Sequence, residues 1–547
     1  MTKEKYLFVG LIALSSSCAT ILQRNAIKNF KDPVTNTATY QSLNSYQQDF
    51  YYLKSICSKY FPQADSYFPR DKRSQIESEI LKRLESHSVP KLEFQFYLKK
   101  YLSHFDNQHT HITFKDVEIS GLFPFIAYNQ DSSWYILNLA KDNDRSFLGK
   151  KIVQFNDKRI NDYEKELFQF VSAENLTTKR KQISYWWYRP QIHEFISSSK
   201  IDSIKLSYED GTNSWIKKAQ PSKSYDWMRK EADYRSHPIT NYKPRMYDYQ
   251  IIDSLQLTYF QFHDCYDKIE IKEGMKTYLR PWLRPFANLY VNIQSKRKKP
   301  SKNLDHYLDP ERPVFHKYVR EMVEVSNKKE NRSLIIDLRN NNGGSQMLCL
   351  QLLYYLTDKQ DLKDFQVYIQ NSDFYKHYSK NELNQKIEKY KLKNGTSSPK
   401  DSLFFAGYSN SNETLFDNIT DSKSPYYVSK DRPIFKGKVI VIADFSTQSA
   451  ASLFTTLFQD NGIGLVIGTE SGNNPTGPTS YTPFKLPNSK ITASIPSNYL
   501  IRPDSTKSTK FTPDILLEKS IWDIMNGRDP LFDKAVDIFR KQNAASR

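Results

Sequence analysis

Three uninterrupted apolar runs in the C-terminal half are the feature that most restricts the fold of this chain. They occupy residues 334–336, 439–443 and 465–467. Residues 346–356 and 450–459, which lie between these runs, carry apolar residues at helical spacing. Continuous apolar strands that alternate with helices predict a parallel sheet covered on both faces. The sequence therefore predicts an α/β core, which we place at residues 249–547.

Composition and charge narrow the class of protein. The chain has 547 residues, of which 38% are hydrophobic and 14% aromatic, which is enough to form the hydrophobic cores of a globular protein. Because single domains rarely exceed ~250 residues, we expect the chain to contain two or three domains. The net charge of +18 would suit nucleic acid, but its densest run, residues 296–299 with Lys302, stands beside Pro300 and Ser301 like a solvated loop. No recognition-helix or zinc-finger pattern accompanies it, so nucleic-acid binding is not expected.

The N terminus predicts export. Lys3 and Lys5 precede an apolar run at 6–14, and the serines at 15–17 lead to Cys18. The run is far shorter than the ~20 apolar residues that span a bilayer, so we interpret residues 1–17 as a secretory signal. A cysteine after small residues resembles the bacterial lipoprotein signal, which implies lipidation of Cys18 and a lipid anchor in the bacterial cell envelope, periplasmic or outer membrane. Plain secretion after cleavage near Cys18 is the alternative.

The remaining cysteines predict neither a disulfide scaffold nor a metal site. Only Cys57, Cys265 and Cys349 follow Cys18, and Cys349 lies in an apolar run typical of a buried thiol. No Cys and His spacing is typical of zinc.

The pattern before the core divides the chain further. We predict a polar tether at 18–44, a helical region at 45–116, a domain of short strands at 117–222 and a linker at 223–248. Within the third segment, residues 148–157 are similar to the strand and turn of PDZ-like domains.

Two loops at predicted strand ends carry the candidate chemistry. Residues 337–344 read Asp-Leu-Arg-Asn-Asn-Asn-Gly-Gly, and the glycines can offer bare N–H donors to a ligand. Residues 443–452 read Ala-Asp-Phe-Ser-Thr-Gln-Ser-Ala-Ala-Ser and place Ser449 where a strand gives way to a helix. The helix N terminus favours a developing oxyanion there. Taken singly, the first loop is equally an ordinary turn, and Ser449 is equally a helix cap.

Together, in this order and about a hundred residues apart, the two loops resemble the catalytic core of the tail-specific (C-terminal processing) and tricorn-type serine proteases. The likeness continues through residues 468–472, 486–489 and 512–515. It implies a ClpP/crotonase-like α/β peptidase core with a helical N-terminal region and an inserted PDZ-like β domain. It also implies peptide or unfolded-protein substrates and acyl-enzyme chemistry without metal or cofactor.

The resemblance assigns roles to residues. Ser449 corresponds to the nucleophile, and the Ala450 amide with that of Gly343 or Gly344 corresponds to the oxyanion hole. The tail-specific branch takes its base from a Gly-Lys-Gly sequence after the serine, but residues 472–475 read Gly-Asn-Asn-Pro. A Ser-Lys dyad is therefore disfavoured.

The tricorn-like branch takes a histidine from an Asp-Gly-His-Thr-like sequence. Residues 106–110 read Asp-Asn-Gln-His-Thr, which resembles it with one insertion and implies His109 as the general base. His111, and less closely His104, are alternatives. A glutamate orients that histidine in the family pattern; residues 502–507 contain none, which makes Asp504 the candidate third member.

The rival hypothesis is a non-catalytic binding protein that keeps the fold, as interphotoreceptor retinoid-binding protein does. The missing lysine, the missing glutamate and the inserted residue favour it. A structural envelope scaffold is a third hypothesis.

Overall fold

A computed structural model describes residues 30–85, 89–114, 121–220, 237–240, 247–278, 284–285, 289, 313–410 and 414–545. The predicted signal, Cys18 and the basic run at 296–299 lie outside the described residues. Within these ranges, none of the helices combines the length and the apolar character that crossing a membrane requires.

The helices, labelled in chain order, are α1 Ala38–Gln41, α2 Ser45–Tyr60, α3 Ala64–Tyr67, α4 Arg70–Arg83, α5 Lys91–Ser103, α6 Ile160–Phe168, α7 Leu176–Ser184, α8 Pro190–Ser197, α9 Lys268–Tyr278, α10 Phe315–Lys328, α11 Gln346–Tyr354, α12 Asp373–Asn394, α13 Asp417–Thr420, α14 Ala450–Asp460, α15 Ile521–Asn526 and α16 Pro530–Ala545. The strands are β1 His111–Ile112, β2 Phe125–Gln130, β3 Ser133–Leu139, β4 Lys151–Phe155, β5 Lys158–Arg159, β6 Ser203–Tyr208, β7 Asn213–Lys217, β8 Tyr247–Ile252, β9 Leu257–Phe262, β10 Ser333–Asp337, β11 Gln366–Gln370, β12 Leu403–Tyr408, β13 Lys438–Ala443, β14 Leu465–Gly468, β15 Gly477–Thr479, β16 Thr482–Lys485, β17 Thr492–Ile495, β18 Asn498–Ile501 and β19 Ile515–Leu516.

The three apolar runs form the central strands of a six-stranded sheet. Its order is β19-β14-β13-β10-β9-β8, and only β8 runs antiparallel to its neighbour. Leu334 and Ile336 pack on one face in the same core cluster as Phe454 of α14. Ile335 packs on the other face with Phe532 of α16. The predicted α/β core with helices on both faces is confirmed, because successive side chains of a buried strand need apolar partners on opposite faces.

The N-terminal helices pack against strands from the far end of the chain. Phe94 and Leu102 of α5 share a core cluster with Phe484 of β16 and Ala493 of β17. Strand β1 continues this contact by pairing antiparallel with β17, with His111 opposite Ser494. The residues after α5 are thereby carried to the C-terminal part of the chain.

The structure describes residues 30–44 of the tether predicted at 18–44, and these residues pack against the helical region instead of forming a free tether. Phe30 and Tyr40 are buried in the core of the helical region, and the Asp32 carboxylate accepts a hydrogen bond from Ser55 at 3.2 Å. The polar composition of this segment predicts a free tether. The two buried aromatic side chains and the Asp32 hydrogen bond instead hold residues 30–44 against the helical region.

The segment predicted as a β domain forms its own sheet, and its core cluster also takes in Phe96 of α5. Its sheet has the order β2-β3-β4-β6-β7, and Trp134, Ile152, Trp187 and Ile204 are buried in one cluster with α6, α7 and α8 alongside. The predicted strand and turn at 148–157 corresponds to β4 and its hairpin with β5. The PDZ-like assignment of this domain stays a prediction.

A further sheet, of order β12-β11-β18-β15, joins the core cluster of the six-stranded sheet through Leu500 of β18 and carries α12 on β12.

Candidate active site

Ser449 lies between β13 and α14, as predicted, in a conformation unusual for a serine. Its φ is 50° and its ψ −123°, outside the regions that non-glycine residues favour, and the residue is exposed. Strain of this kind concentrates at functional sites. The Ser449 side chain makes no capping hydrogen bond to α14, so the alternative interpretation of this serine as a helix cap does not describe its hydroxyl.

The neighbouring hydroxyls are engaged elsewhere. Ser446 Oγ donates to Asp444 and accepts from the Asn340 amide at 2.7 Å, and Thr447 Oγ1 donates to the Leu338 carbonyl at 3.0 Å. These bonds hold the serine loop against the glycine loop. Within the described part of the chain, the Ser449 hydroxyl is left without a hydrogen bond.

The glycine loop meets Ser449 directly. Gly343 has a φ of 92°, and a Cβ at this position would lie 2.6 Å from Ser449 Cβ and 2.9 Å from the Ala450 nitrogen. The Gln448 amide also donates to the Asn341 carbonyl at 2.8 Å. The two predicted loops therefore form one site at the carboxyl ends of β10 and β13, where ligands bind in parallel sheets.

Two amides remain available for an oxyanion. The Gly343 amide donates to Asn341 Oδ1 at 2.8 Å and is occupied. The Gly344 and Ala450 amides make no hydrogen bond among the described residues. Of the two predicted glycine donors, Gly344 is thus the one left free to act with Ala450.

Buried groups hold the glycine loop from below. Asn341 Nδ2 donates to the Phe262 carbonyl at 2.8 Å, and the Cys265 amide donates to the Gly343 carbonyl at 3.0 Å. Cys265 Sγ lies 3.5 Å from Cys349 Sγ, and burial raises the pKa of the Cys265 thiol. A loop fixed by this many contacts does not need to reorganise when a reacting carbonyl binds.

The first residues of the glycine motif have a structural role. Arg339 pairs with Asp337 and with Asp529, whose Oδ2 lies 2.8 Å from its guanidinium. Burial alone would raise the pKa of Asp337, but the Arg339 guanidinium outweighs it and lowers that pKa. The Asp-Leu-Arg sequence thus ties the strand end to the C-terminal segment.

The predicted histidine segment is held by one buried asparagine. Asn107 is fully buried; its Oδ1 accepts from the His109 amide at 3.0 Å, and its Nδ2 donates to the Pro478 carbonyl at 2.8 Å. Gln108 Nε2 donates to the Gly472 carbonyl, and the Gly472 amide donates to Thr447 in the serine loop. The structure therefore brings the histidine segment and the serine loop to the same residue.

The His109 imidazole is suited to accept a proton. Its Nδ1 is buried without a hydrogen-bond partner. Burial, with a smaller contribution from His111, lowers the pKa of His109 to about 4. The ring is therefore neutral at physiological pH, which is the form a general base requires.

The two alternative histidines are engaged differently. His111 Nδ1 bonds to the Gln108 carbonyl oxygen at 2.8 Å, and its ring stacks on Tyr481. His104 stacks on Phe68 inside the helical region, with ring centroids 4.7 Å apart.

Two residues that the sequence did not indicate link the catalytic segments. Asn473 Oδ1 accepts from the Ser449 amide at 2.7 Å, and Asn473 Nδ2 donates to Glu174 Oε1 at 3.2 Å. The same Glu174 oxygen accepts from Asn107 Nδ2 at 3.2 Å. Burial raises the pKa of Glu174 to about 7, against the hydrogen bonds from Asn473 and Gln108. No sequence signal could have found Glu174, because it belongs to the inserted domain.

Asp504, the predicted third member, is not brought to this site. Its amide donates to Asp460 Oδ2 at 3.1 Å, and Asp460 is the last residue of α14, whereas Ser449 precedes the first. At ~1.5 Å per residue, the helix separates the two ends by about 16 Å. The cause is Arg502, which pairs with the buried Asp460 and carries Asp504 to the distal end.

Comparisons with known proteins agree with this fold. Residues 290–517 match the model of peptidase family S41. The structure resembles the crystal structure of mature CPAF with a TM-score of 0.58 and 14% identity, covering 90% of this chain and 95% of that chain. It resembles mature CPAF complexed with lactacystin with a TM-score of 0.57 and 14% identity, covering 91% and 98%. Among curated proteins, none matches the sequence. The resemblance predicted from the two loops is thereby confirmed at the level of family domain and fold.

Proposed function

Because the chain carries a domain of peptidase family S41, we propose that it is a serine peptidase acting on peptides or unfolded proteins. One observation carries this proposal: an exposed, strained Ser449 with an uncommitted hydroxyl lies against a glycine loop, next to the free amides of Gly344 and Ala450. That is the arrangement that acyl transfer requires of a nucleophile and an oxyanion hole.

In the proposed cycle, His109 takes the proton of Ser449 as the serine oxygen attacks the scissile carbonyl. The amides of Gly344 and Ala450 hold the oxyanion, and the protonated imidazole returns its proton to the leaving amine. A water molecule then attacks the acyl-enzyme with His109 again as base. Among the described residues no hydrogen bond joins Ser449 Oγ to His109, so the proposed cycle requires these two side chains to approach each other; hydrogen bonds between catalytic groups are often long before substrate binds.

Glu174 is proposed as the carboxylate that positions the two segments. It binds Asn107, which holds the His109 amide, and Asn473, which holds the Ser449 amide. Because both hydrogen bonds end on one buried carboxylate, Glu174 fixes the spacing of nucleophile and base. It takes the place proposed from sequence for Asp504.

A serine-directed fluorophosphonate tests the proposal. We expect the wild-type chain to be labelled, with the label on the peptide that contains Ser449, and Ser449→Ala to lose all labelling. Ser446→Ala is the matched control: that hydroxyl lies in the same loop but is bonded to Asp444, so labelling should persist.

The second candidate, a non-catalytic binding protein, is favoured by the absence, among the described residues, of a hydrogen bond between Ser449 and an imidazole. A folded wild-type chain that resists the fluorophosphonate would support it and contradict the peptidase.

We propose further that the chain is exported and anchored through a lipid on Cys18 in a bacterial cell envelope; the support is the residue pattern of 1–18. Metabolic incorporation of an alkyne-tagged fatty acid is the measurement. We expect Cys18→Ala to lose the tag and Cys57→Ala, a change at a buried thiol, to keep it. An untagged protein in the medium would instead indicate plain secretion.

A further inference from the structure

A cavity of about 190 Å³ lies beside the histidine segment. Its walls come from α5, from residues 108 and 110–112, and from the inserted domain around Phe170 and Gln182. None of the lining residues is acidic, and one, Lys99, is cationic. Neither Ser449, His109 nor the glycine loop lines this cavity, and the proposed catalytic cycle assigns it no role.

Among the described residues, Lys99 has no counter-charge. Its ammonium lies 5.2 Å from the ring centroids of both Phe114 and Trp186, and it makes no hydrogen bond or ion pair among the described residues. Burial, together with the nearby Arg189, lowers the pKa of Lys99 to about 8. The group is thus still protonated at neutral pH, and a half-buried ammonium that the described residues leave unpaired favours an anion.

The other polar groups of the cavity are mostly occupied. The Thr110 hydroxyl donates to Asn107 Oδ1 at 3.3 Å, and the Ser172 hydroxyl donates to the Asn107 carbonyl at 2.7 Å. The His111 Nδ1 is bonded to Gln108. The Lys99 ammonium and the Gln182 amide remain for a ligand. One cation with one neutral donor suits a single carboxylate, which accepts charge-assisted hydrogen bonds at two oxygens.

We propose that this cavity binds one carboxylate of a peptide ligand, either an acidic side chain or a free C terminus, with Lys99 as its counter-ion. The peptide nature of the ligand rests on the proposed function. Gln108 connects the two places: it lines the cavity and hydrogen-bonds Gly472, the residue before Asn473, which holds the Ser449 amide. A carboxylate bound in the cavity therefore lies against the same segment that carries His109.

The test uses the Ser449→Ala full chain, which binds without cleaving. It is applied to an array of peptides in three matched forms: one internal Glu with an amidated end, the corresponding Gln with an amidated end, and that Gln peptide with a free C terminus. We expect the neutral form to bind roughly tenfold more weakly than the carboxylate forms, the range of a charge-assisted hydrogen bond. Comparison of the two carboxylate forms identifies the source of the carboxylate.

Three variants assign the effect to Lys99. Lys99→Met should abolish the preference, and Lys99→Arg should retain it. Lys100→Met, a change at the next residue, whose ammonium pairs outside the cavity with Glu79 at 3.0 Å, should also retain it. Equal binding of all three peptide forms, failure to bind any of them, or a preference that survives Lys99→Met would overturn the proposal. Fluorophosphonate labelling of the wild type tests the proposed peptidase activity separately. A result that overturns carboxylate binding in the cavity can therefore be distinguished from one that overturns the peptidase.

Discussion

Replacing His109 with alanine is expected to lower kcat/KM for an unfolded-protein substrate by about 10²–10⁴-fold, the range that general base catalysis supplies. The expectation follows from the contacts of Asn107 and Gln108, which hold the histidine segment against Gly472 and the serine loop. Hydrolysis of fluorescein-labelled casein, followed by the rise in fluorescence, is the measurement.

His111→Ala is the matched control for this prediction. His111 is two residues away and equally part of the segment, but its Nδ1 is bonded to Gln108 and its ring stacks on Tyr481. We expect the His111 variant to lose less than about tenfold, because only supporting contacts disappear. If the His111 variant loses the greater share, the roles of the two histidines are reversed.

The pH profile separates the base from the group that positions it. Since burial lowers the pKa of His109 to about 4, its neutral form dominates above that pH and does not limit the rate near neutrality. Glu174, with a pKa raised by burial to about 7, ionises as the pH rises through that value. An ionised carboxylate accepts stronger hydrogen bonds from Asn107 and Asn473 than the neutral acid does, so we expect kcat/KM to increase through pH 7. Glu174→Gln keeps an acceptor oxygen but is uncharged at every pH, so it should hold kcat/KM at the level of the protonated enzyme and remove this step, leaving only the fall in rate at low pH that His109 causes.

The sequence predicted those parts of the fold that local pattern determines. Runs such as 439–443 are apolar at every position because their strands are buried on both faces, and the loops after them must meet at one sheet edge. In the structure, the loops that carry Ser449 and Gly343 meet at that edge. The buried residues Phe30 and Tyr40 were missed, because a polar segment gives no signal of where its few aromatic side chains pack.

The site residues that were missed depend on contacts between distant parts of the chain. Glu174 stands in the inserted domain and meets Asn473 only because the N-terminal end of α7 lies on the segment after β14. Asn175 Nδ2 donates to the Ser471 carbonyl at 3.0 Å, and Thr178 Oγ1 donates to the Gly472 carbonyl at 3.3 Å. Asp504 is the acidic residue of the stretch 502–507, where the family pattern has a glutamate, and that correspondence carries no information on the Arg502 ion pair that holds Asp504 away from the site.

These contacts make the inserted domain part of the candidate active site. The segment it holds supplies Asn473 to the Ser449 amide, and the domain itself supplies Glu174. A displacement of α7 would move both supports together. A single rigid element thus connects the inserted domain with the geometry of the nucleophile, which a domain joined only by linkers could not do.

Replacing Gly343 with alanine is expected to reduce peptide hydrolysis by about 10²–10³-fold, the cost of misplacing an oxyanion donor. The added Cβ would lie 2.6 Å from Ser449 Cβ, 2.7 Å from the Gln448 carbonyl oxygen and 2.9 Å from the Ala450 nitrogen. All three atoms belong to the serine loop, and two of them are backbone atoms, so no flexible side chain can yield. The loop must shift, and the Ala450 amide and the nucleophile shift with it.

Gly211→Ala is the control that isolates this steric effect from backbone strain. Gly211 has a φ of 82°, close to the 92° of Gly343, but a Cβ there would meet no atom within 4 Å. Both alanines carry the strain of a positive φ, on the order of 1–2 kcal/mol, whereas only Gly343→Ala displaces the serine loop. We expect the Gly211 variant to keep wild-type kcat/KM and fluorophosphonate labelling. A folded Gly343 variant that hydrolyses peptides at the wild-type rate would contradict the assignment of the oxyanion hole, because no donor geometry survives a displacement of Ala450.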